Sequence, residues 1–500
     1  MSAAWGLRRA PVTALAPLLG LALVGAAGCA SAPERSPRDL APRDDEPPAW
    51  QITARPDADL DAIEVVACFR GASAPLELVP GSQDAGRYLL TASARDAHGA
   101  VPLDKREDAL GIPRGHRDVC VSYAIDVGGL TAGGSSRDAY RAGRDVVLAT
   151  DLWLWRPRRV DRGARAWVTL ELPEGVRAAV PWPAVATRPG TYALDASAFR
   201  WRGLVAFGRA FETLTVAVGP RSRLDVAVLD GDRRATAGGI ARWLGRAAGA
   251  VAATIGEFPR ERVQVLVVPT SGGDDPVPFG YVVRGGGATV TLLLDRDARD
   301  EALDRDWVAP HELFHLAMPP IRSEDSWLSE GFTMYYTELL RGRAGLVTPR
   351  EAWEALDAGF DRGYRDGTGR SLADESRDMR ETYAFKRVYW AGAALALLID
   401  LELRQRAEGR FRSLDDAMVA LFRAGARADR FWTAREVVAE LDELGGTDVF
   451  ARTTDAWLDE AEFPVLTGAY EALGLRSVDG ELRVDPERGR ALRDAIISAP

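Results

Sequence analysis

The chain has 500 residues, more than one hydrophobic core ordinarily serves, which indicates two or three domains. Hydrophobic residues make up 47% of the chain and charged residues 27%, a composition that excludes a wholly disordered protein. The formal net charge of -10 argues against nucleic acid as a partner, because binding a phosphate backbone requires a basic surface.

The N-terminal segment, residues 1–28, has the pattern of a signal peptide. Arg8 and Arg9 precede a largely apolar run, and small residues end that run directly before Cys29. The small residues followed by a cysteine resemble a bacterial lipobox, in which Cys29 is lipidated. A plain signal peptide with a coincidental cysteine is the alternative. Pro17, near the middle of the apolar run, disfavours a transmembrane anchor.

Residues 29–49 are rich in Pro, Arg and Asp and have almost nothing to bury, so we predict a disordered tether there. Ala30 after the cysteine is similar to lipoproteins sorted to the outer membrane. We therefore expect an exported protein, held in the cell envelope through a lipid anchor and facing the periplasm. In that oxidising compartment Cys68 and Cys120 could form a disulfide, and two buried free thiols fit the sequence equally well.

The next part of the chain, residues 50–222, consists of short apolar runs separated by Gly, Pro and Asp. Residues 62–68, 119–126 and 166–172 have the composition of strands. Many short strands without a long helical pattern predict an N-terminal β-sandwich domain.

The pattern changes near residue 223. Apolar strands are predicted over 224–229, 263–268 and 288–294, with an Ala-rich helix over 236–256. Helices dominate after residue 307, with predicted helices over 381–406, 414–423 and 433–444, and a hairpin over 475–484. The fold class is thus multidomain α+β: an α/β catalytic domain over 223–345, a helical domain over 346–475 and a C-terminal tail over 476–500.

The strongest chemical signal is His311-Glu-Leu-Phe-His315. On a helix, positions i and i+4 share one face, so both imidazoles can reach one metal ion while Glu312 acts on a water bound to it. Pro310 suits the first position of that helix, and Pro319 ends it, which leaves about two turns.

A catalytic zinc site takes three protein ligands and keeps one position for water. Glu330, in the segment Trp327-Leu-Ser-Glu-Gly-Phe-Thr-Met-Tyr-Tyr336, is the natural third ligand, and Glu324 and Asp325 are possible substitutes. No histidine follows His315, which excludes a three-histidine site.

These two motifs together resemble the gluzincin metallopeptidases, above all the glycyl aminopeptidase family, which is related to aminopeptidase N. The segments Leu339–Pro349 and Val388–Gly392 are similar to the same family. The resemblance covers about residues 223–475. It implies a thermolysin-like catalytic domain with one zinc ion, and it assigns Tyr389 to the tyrosine that hydrogen-bonds the tetrahedral intermediate.

The sequence therefore predicts a zinc metallopeptidase, aminopeptidase-like, with Glu312 as general base and acid and a peptide or protein as substrate. A zinc hydrolase of a non-peptide bond and a catalytically silent envelope-binding lipoprotein are the alternatives. Relatives carry a glutamate that binds the substrate's amino group, but the corresponding stretch here, Phe279–Ala288, has no acid. Asp274 and Asp275 could substitute. The glycines of that stretch either admit a substrate strand to a sheet edge or form an ordinary loop.

Overall fold

The computed structural model describes residues 48–498 except 74, 83–84, 133–136, 274, 407–408, 426–429 and 479. The predicted signal peptide and Cys29 lie outside the described residues, as does almost all of the tether. The described residues belong to a compact unit that runs from Asp44 to Pro500. None of the described helices is both long and apolar enough to cross a bilayer.

Short strands joined by tight turns build the chain from Trp50 to Gly208. Alternation of buried and exposed side chains, clearest in the strand that begins at Arg117, gives these strands one face toward a core. The elements are β1 Trp50–Pro56, β2 Ala62–Ser73, β3 Leu76–Val79, β4 Leu89–Asp96, β5 Gly99–Val101, β6 Asp104–Arg106, β7 Ala109–Ile112, β8 Arg117–Asp126, α1 Val127–Ala132, β9 Ala139–Ala142, β10 Asp145–Ala149, α2 Thr150–Trp153, β11 Arg156–Pro157, β12 Arg165–Leu170, β13 Arg177–Ala179, β14 Thr191–Asp195, α3 Ala196–Arg200 and β15 Leu204–Gly208, with a 3₁₀ turn at Ala85–Tyr88.

Three sheets share this region: β14-β12-β1-β2-β8-β4-β5, β13-β15-β10-β9 and β11-β3-β7-β6. Their inner faces enclose one apolar core in which Trp153, Trp155 and Phe207 are almost fully buried. Cys68 and Cys120 stand directly opposite each other on β2 and β8, and the structure joins them in a disulfide.

A five-stranded sheet with helices against it follows. Its elements are β16 Glu212–Val218, β17 Ser222–Val228, α4 Ala237–Ile255, β18 Arg262–Thr270, β19 Phe279–Val283, β20 Thr289–Asp295, α5 Asp300–Leu303, α6 Val308–Phe314 and α7 Ser326–Arg343, with 3₁₀ turns at His315–Ala317 and Ser323–Asp325. The strand order is β16-β17-β18-β20-β19, with parallel pairs in the middle and antiparallel strands at both edges.

This sheet begins at Glu212, upstream of the change predicted near residue 223. The reason is that β16 and β17 form a tight hairpin with Gly219 at φ 64°, which in sequence looks like the strand-turn-strand pattern before it. The Ala-rich helix matches its prediction closely, because the Thr236 side chain caps its first turn and Gly256 ends it at φ 90°.

Helices complete the fold: α8 Pro349–Arg365, α9 Leu372–Thr382, α10 Phe385–Gln405, α11 Leu414–Arg423, α12 Ala434–Gly445, α13 Val449–Leu458, α14 Thr467–Leu473 and α15 Arg490–Ile497, with the hairpin β21 Leu475–Val478 and β22 Glu481–Val484. The predicted helix over 381–406 begins later, at Phe385, because Tyr383 takes a left-handed conformation at φ 61° and separates α9 from α10. The predicted tail over 476–500 contains most of β21, all of β22 and α15, whose Ile496 is fully buried.

Candidate metal centre and active site

The helix that carries the motif, α6, is short and is held at its N-terminus by a buried aspartate. The Asp306 carboxylate accepts hydrogen bonds from the backbone N–H groups of Val308 (2.9 Å) and Ala309 (2.8 Å), and from the Trp243 indole (3.0 Å). These bonds satisfy donors that a helix start leaves unpaired. The helix starts two residues before Pro310, which the sequence placed at the first position.

The two imidazoles of α6 face the Glu330 carboxylate on α7. Glu330 Oε2 lies 3.3 Å from His311 Nε2 and 3.4 Å from His315 Nε2, and one ligand atom from each of the three residues lies within 4.8 Å of the others. Both histidines are 4% exposed. The structure thus brings together the three residues that the sequence nominated as ligands.

Two threonines on α7 orient the imidazoles from behind. The Thr337 hydroxyl donates to the Thr333 carbonyl (2.7 Å) and faces His311 Nδ1 at 3.1 Å. Thr333 donates to the Ser329 carbonyl (2.6 Å) and faces His315 Nδ1 at 3.3 Å. Since each hydroxyl has one proton and spends it on a carbonyl, each can accept from Nδ1–H. This arrangement leaves the lone pair of Nε2 on both rings available to bind a metal ion.

A cation also approaches His315. Arg284, which follows β19, places Nη2 3.1 Å from His315 Nδ1 and donates through Nη1 to the carbonyls of Pro319 (2.8 Å) and Met318 (3.2 Å). Arg284 can only donate, so it favours a deprotonated Nδ1, whereas Thr333 favours a protonated one. A metal ion at Nε2 requires the proton on Nδ1 and therefore selects the contact with Thr333.

Close approach of α7 and α10 positions Tyr389. A Cβ on Gly392 would lie 1.8 Å from the Trp327 carbonyl oxygen, and one on Gly331 would lie 2.4 Å from the Gly392 Cα. Only glycine fits at this crossing. Because Glu330 is adjacent to Gly331, and Tyr389 lies one helical turn before Gly392, the crossing sets the two side chains against each other. The pKa of Tyr389 is accordingly raised well above its usual value, by burial and by the charges of Glu330 and Glu312.

The buried environment also tunes the acids and bases. Burial raises the pKa of Glu312, which is 8% exposed, to about 7. Burial lowers the pKa of His315 to about 4, which keeps its ring neutral as a metal ligand requires. Burial opposes ionisation of Glu330, but the two histidines outweigh it and hold the pKa of this carboxyl well below its usual range.

The donor set fits a zinc ion. Four ligand atoms arranged tetrahedrally at about 2.0–2.1 Å from an ion lie about 3.3 Å from one another. Both distances from Glu330 to the imidazole nitrogens have this length, which exceeds that of a normal hydrogen bond. Two imidazoles and one carboxylate are a ligand set that zinc takes in catalytic sites.

The other predicted acids lie elsewhere. Glu324 is exposed, and Asp325 accepts a hydrogen bond from the Ala434 backbone (2.8 Å), so neither joins the three converging residues. Asp275 is exposed in the loop before β19 and makes no hydrogen bond or ion pair with a described residue. Asp274 lies outside the described residues, so amine binding by this pair stays a prediction.

The glycine-rich stretch packs against protein. A Cβ on Gly285 would lie 2.0 Å from the Trp201 Cβ, and one on Gly287 would lie 2.6 Å from the Pro181 Cβ. Gly280 differs, because a Cβ there would meet the Glu312 side chain at 2.9 Å. The edge strand β19 therefore passes directly beside Glu312, while the glycine turn after it docks on the N-terminal sheets.

Asp306, Arg284, Thr333 and Thr337 were not identified from the sequence. The threonines carry a signal in hindsight, since they follow Glu330 by three and seven residues and so share its helix face. Asp306 also carries one, since an aspartate just before a helix can cap its first backbone N–H groups. Arg284 carries none, because its contacts join segments whose proximity only the folded chain creates.

Comparison with solved structures identifies the class of fold. An aminopeptidase N family protein from Idiomarina loihiensis is 16% identical, with a TM-score of 0.68 over 85% of this chain and 78% of that one. An M1 zinc metallopeptidase from Deinococcus radiodurans is 17% identical, with a TM-score of 0.52 over 83% of this chain and 94% of that one. The same enzyme has been solved as a variant bound to a tyrosine-serine-alanine substrate, and that structure has a TM-score of 0.51 to this chain. The chain thus has a mixed α+β fold similar to that of M1 aminopeptidases.

The family comparison is more specific. The sequence model of the M61 glycyl aminopeptidases matches residues 317–393, a segment that contains Glu330 and Tyr389. The resemblance predicted from the sequence is thereby confirmed. No curated protein matches the chain.

Proposed function

We propose that the protein is a zinc-dependent, aminopeptidase-like metallopeptidase that uses His311, His315 and Glu330 as ligands. The observation that carries the proposal is the convergence of these three side chains beside the buried Glu312. The M61 match and the M1 neighbours support a peptidase. A substrate-bound neighbour supports a peptide as the substrate.

A zinc ion in this site would lower the pKa of a water molecule toward neutrality and polarise the scissile carbonyl. Glu312 takes the proton from the attacking water and delivers it to the leaving amine, a role that suits a carboxyl with a pKa near 7. The Tyr389 hydroxyl donates to the oxygen of the scissile carbonyl as negative charge develops there. Thr333 and Thr337 keep the imidazoles in the ligating tautomer.

We also propose the finer domain arrangement: a β-sandwich from residue 50, a thermolysin-like catalytic domain to residue 345 and a helical domain over 346–475. The boundary between the first two lies before β16 at Glu212 and not at the predicted residue 223, because β16 belongs to the five-stranded sheet. Two apolar cores support this arrangement. One fills the N-terminal sheets and extends onto one face of the five-stranded sheet, and the other lies between the opposite face of that sheet and the helices. The second core also explains why the catalytic helices α6 and α7 depend on α10 for their positions.

Export and lipid anchoring through Cys29 are a separate proposal, supported by the residues before this cysteine and by the Cys68–Cys120 disulfide, since disulfides persist in oxidising compartments. A Cys29→Ala variant should leave the membrane fraction. Unchanged fractionation with membranes would contradict the anchor.

Substitution Glu312→Gln tests the mechanism. It keeps the size of the side chain and removes the base, so kcat should fall by at least about 10²–10⁴-fold, the usual contribution of general acid–base catalysis. Zinc content should not change, because Glu312 is not a ligand. The exposed Glu301→Gln serves as control. Undiminished peptide hydrolysis by the Glu312 variant would refute the mechanism.

A further inference from the structure

Two arginines lie at one end of the five-stranded sheet, beside the candidate metal centre. Arg284 follows β19, and Arg260 precedes β18. Strand β20 lies between them, antiparallel to β19 and parallel to β18. The last residue of β19 and the first residue of β18 therefore lie at the same end of the sheet. Arg260 is close enough for its charge to contribute to a lowered pKa of Arg284, to which burial contributes most.

Neither guanidinium has a carboxylate partner within 4 Å among the described residues. Both side chains are partly buried. Among the described residues, Arg260 donates only to the carbonyl of its own neighbour, Pro259 (3.0 Å). Arg284 uses both Nη1 protons on carbonyls and one Nη2 proton on His315, which leaves its Nε–H and one Nη2–H without a protein acceptor in the part of the chain that the structure describes. Partly buried cations usually have such a partner.

The nearest acids already have other roles. Glu330 and Glu312 are the carboxylates whose charges act on Arg284, and they serve as candidate ligand and general base. A metal ion would neutralise them and, by fixing the proton of His315 on Nδ1, would also release Nη2 of Arg284. The stretch Phe279–Ala288, whose Gly280 lies against the Glu312 side chain, contains no acid.

We infer that Arg260 and Arg284 form a subsite for a carboxylate group of the substrate. The inference rests on the proposed peptidase function and names its substrate class: peptides with a carboxylate, either an acidic side chain or the terminal carboxylate, close to the scissile bond. Arg284 lies one side chain away from the three converging residues, so the carboxylate lies within a few residues of the bond that is cleaved. Guanidinium groups bind carboxylates through paired, charge-assisted hydrogen bonds.

Matched peptides test the inference. One set places Glu or Gln at each of three positions on either side of the scissile bond, and a second set ends in a free carboxylate or an amide. Hydrolysis is measured for the wild type, for Arg260→Gln and for the control Arg95→Gln, since Arg95 is exposed on β4 of the N-terminal seven-stranded sheet. In parallel, calorimetry measures binding of the same peptides to zinc-loaded Glu312→Gln protein, a readout that does not require turnover.

At one position or at the terminus, we expect the carboxylate peptide to exceed its neutral partner about 10- to 100-fold in kcat/KM, as one charge-assisted interaction allows. Arg260→Gln should reduce this ratio about tenfold and leave the neutral peptides unchanged, while Arg95→Gln changes neither. The side-chain and terminal arms identify which carboxylate is bound. Equal kcat/KM for every acidic and neutral pair, or an equal loss on both by Arg260→Gln, would overturn the inference while peptidase activity itself persists.

Failure of the proposed function looks different, because no peptide of either kind would then be cleaved. Calorimetry still decides the subsite in that case. Tighter binding of carboxylate peptides that Arg260→Gln weakens about tenfold supports the subsite, and equal binding of both kinds of peptide overturns it. Arg284→Lys keeps the charge and should retain part of the preference, whereas Arg284→Gln should lose it. Near-native melting temperatures are required of both variants, because Arg284 also holds the Met318 and Pro319 carbonyls.

Discussion

At the scale of single residues, Tyr389 is the group whose role can be removed with the least disturbance. Its pKa is raised well above the usual value, so the hydroxyl remains protonated and able to donate at any pH at which the enzyme works. A donor aimed at developing negative charge acts chiefly in the transition state. Loss of this hydroxyl should therefore appear in kcat and hardly in KM.

Tyr389→Phe should lower kcat about 10²–10³-fold, the effect of removing one oxyanion donor. The measurement is steady-state kinetics on a peptide that the wild type cleaves, with Tyr364→Phe as control, since Tyr364 is 71% exposed. A rise in KM with unchanged kcat would show that the hydroxyl binds the ground state equally well, contrary to the proposed role.

The contacts of Thr333 and Thr337 with the two imidazoles lead us to expect that these threonines affect zinc affinity. Thr337→Val removes the acceptor of the His311 Nδ1 proton with little change of shape, and we expect zinc affinity to fall about 10- to 100-fold, as for other groups that orient a ligand. Competition with a chelating dye measures it. Thr454→Val is the matched control, because Thr454 is equally buried and makes the same bond to the carbonyl four residues before it, on α13. Equal zinc affinity in both variants would remove Thr337 from the site.

At the scale of elements, the start of α6 determines where the histidines lie. Burial raises the pKa of Asp306 to about 6, although three donors oppose the shift. An unfolded aspartate has a pKa of about 3.9, so between these values the folded protein binds more protons than the unfolded chain. Stability from this group is complete below pH 4 and is lost as the pH rises through 6.

Asp306→Asn should abolish this dependence. The difference in unfolding free energy between wild type and variant should change by about 2–3 kcal/mol from pH 4 to pH 7. The wild type should become less stable relative to the variant as the pH rises. Urea unfolding at a series of pH values measures it, with the exposed Asp297→Asn as control. A difference that stays constant with pH would mean that Asp306 is ionised throughout in the folded protein.

The elements that the sequence predicted well are those with local signals. The helix from Ala237 has a threonine cap and a glycine end, and the helix from Ala434 starts with a capping box at Thr433. The break at Tyr383 was missed, because nothing local distinguishes a tyrosine in a left-handed conformation from one inside a helix. The two histidines were predictable from their spacing of four residues on one helix face. Glu330 was predictable from the need for a third ligand, although Glu324 and Asp325 were left open as substitutes. Arg284 was not, because its contact with His315 depends on where an edge strand ends relative to α6.

At the scale of the whole molecule, a disulfide between Cys68 and Cys120 links two strands of the N-terminal sheets. The sequence did not decide between this bond and two free thiols. The disulfide closes a loop with a sequence separation of 52 residues between β2 and β8. A crosslink of this kind restricts the unfolded chain and typically stabilises a domain by about 2–4 kcal/mol.

The double variant Cys68→Ser, Cys120→Ser should therefore unfold with a free energy about 2–4 kcal/mol lower than the wild type, provided that the wild type is purified under oxidising conditions. Tryptophan fluorescence during denaturant unfolding follows it, because Trp153 and Trp155 lie in the same core. Reductant should destabilise the wild type alone. Two free thiols in the denatured, unreduced wild type would contradict the bond.

The central claim is that His311, His315 and Glu330 converge on one zinc ion, and anomalous X-ray diffraction at the zinc edge tests it most directly. Crystals of the protein purified with zinc should show one strong peak among these residues, about 2.0–2.2 Å from both Nε2 atoms and from a Glu330 carboxylate oxygen. A zinc-saturated crystal with its peak elsewhere, or with Glu330 turned away from the ion, would contradict the account.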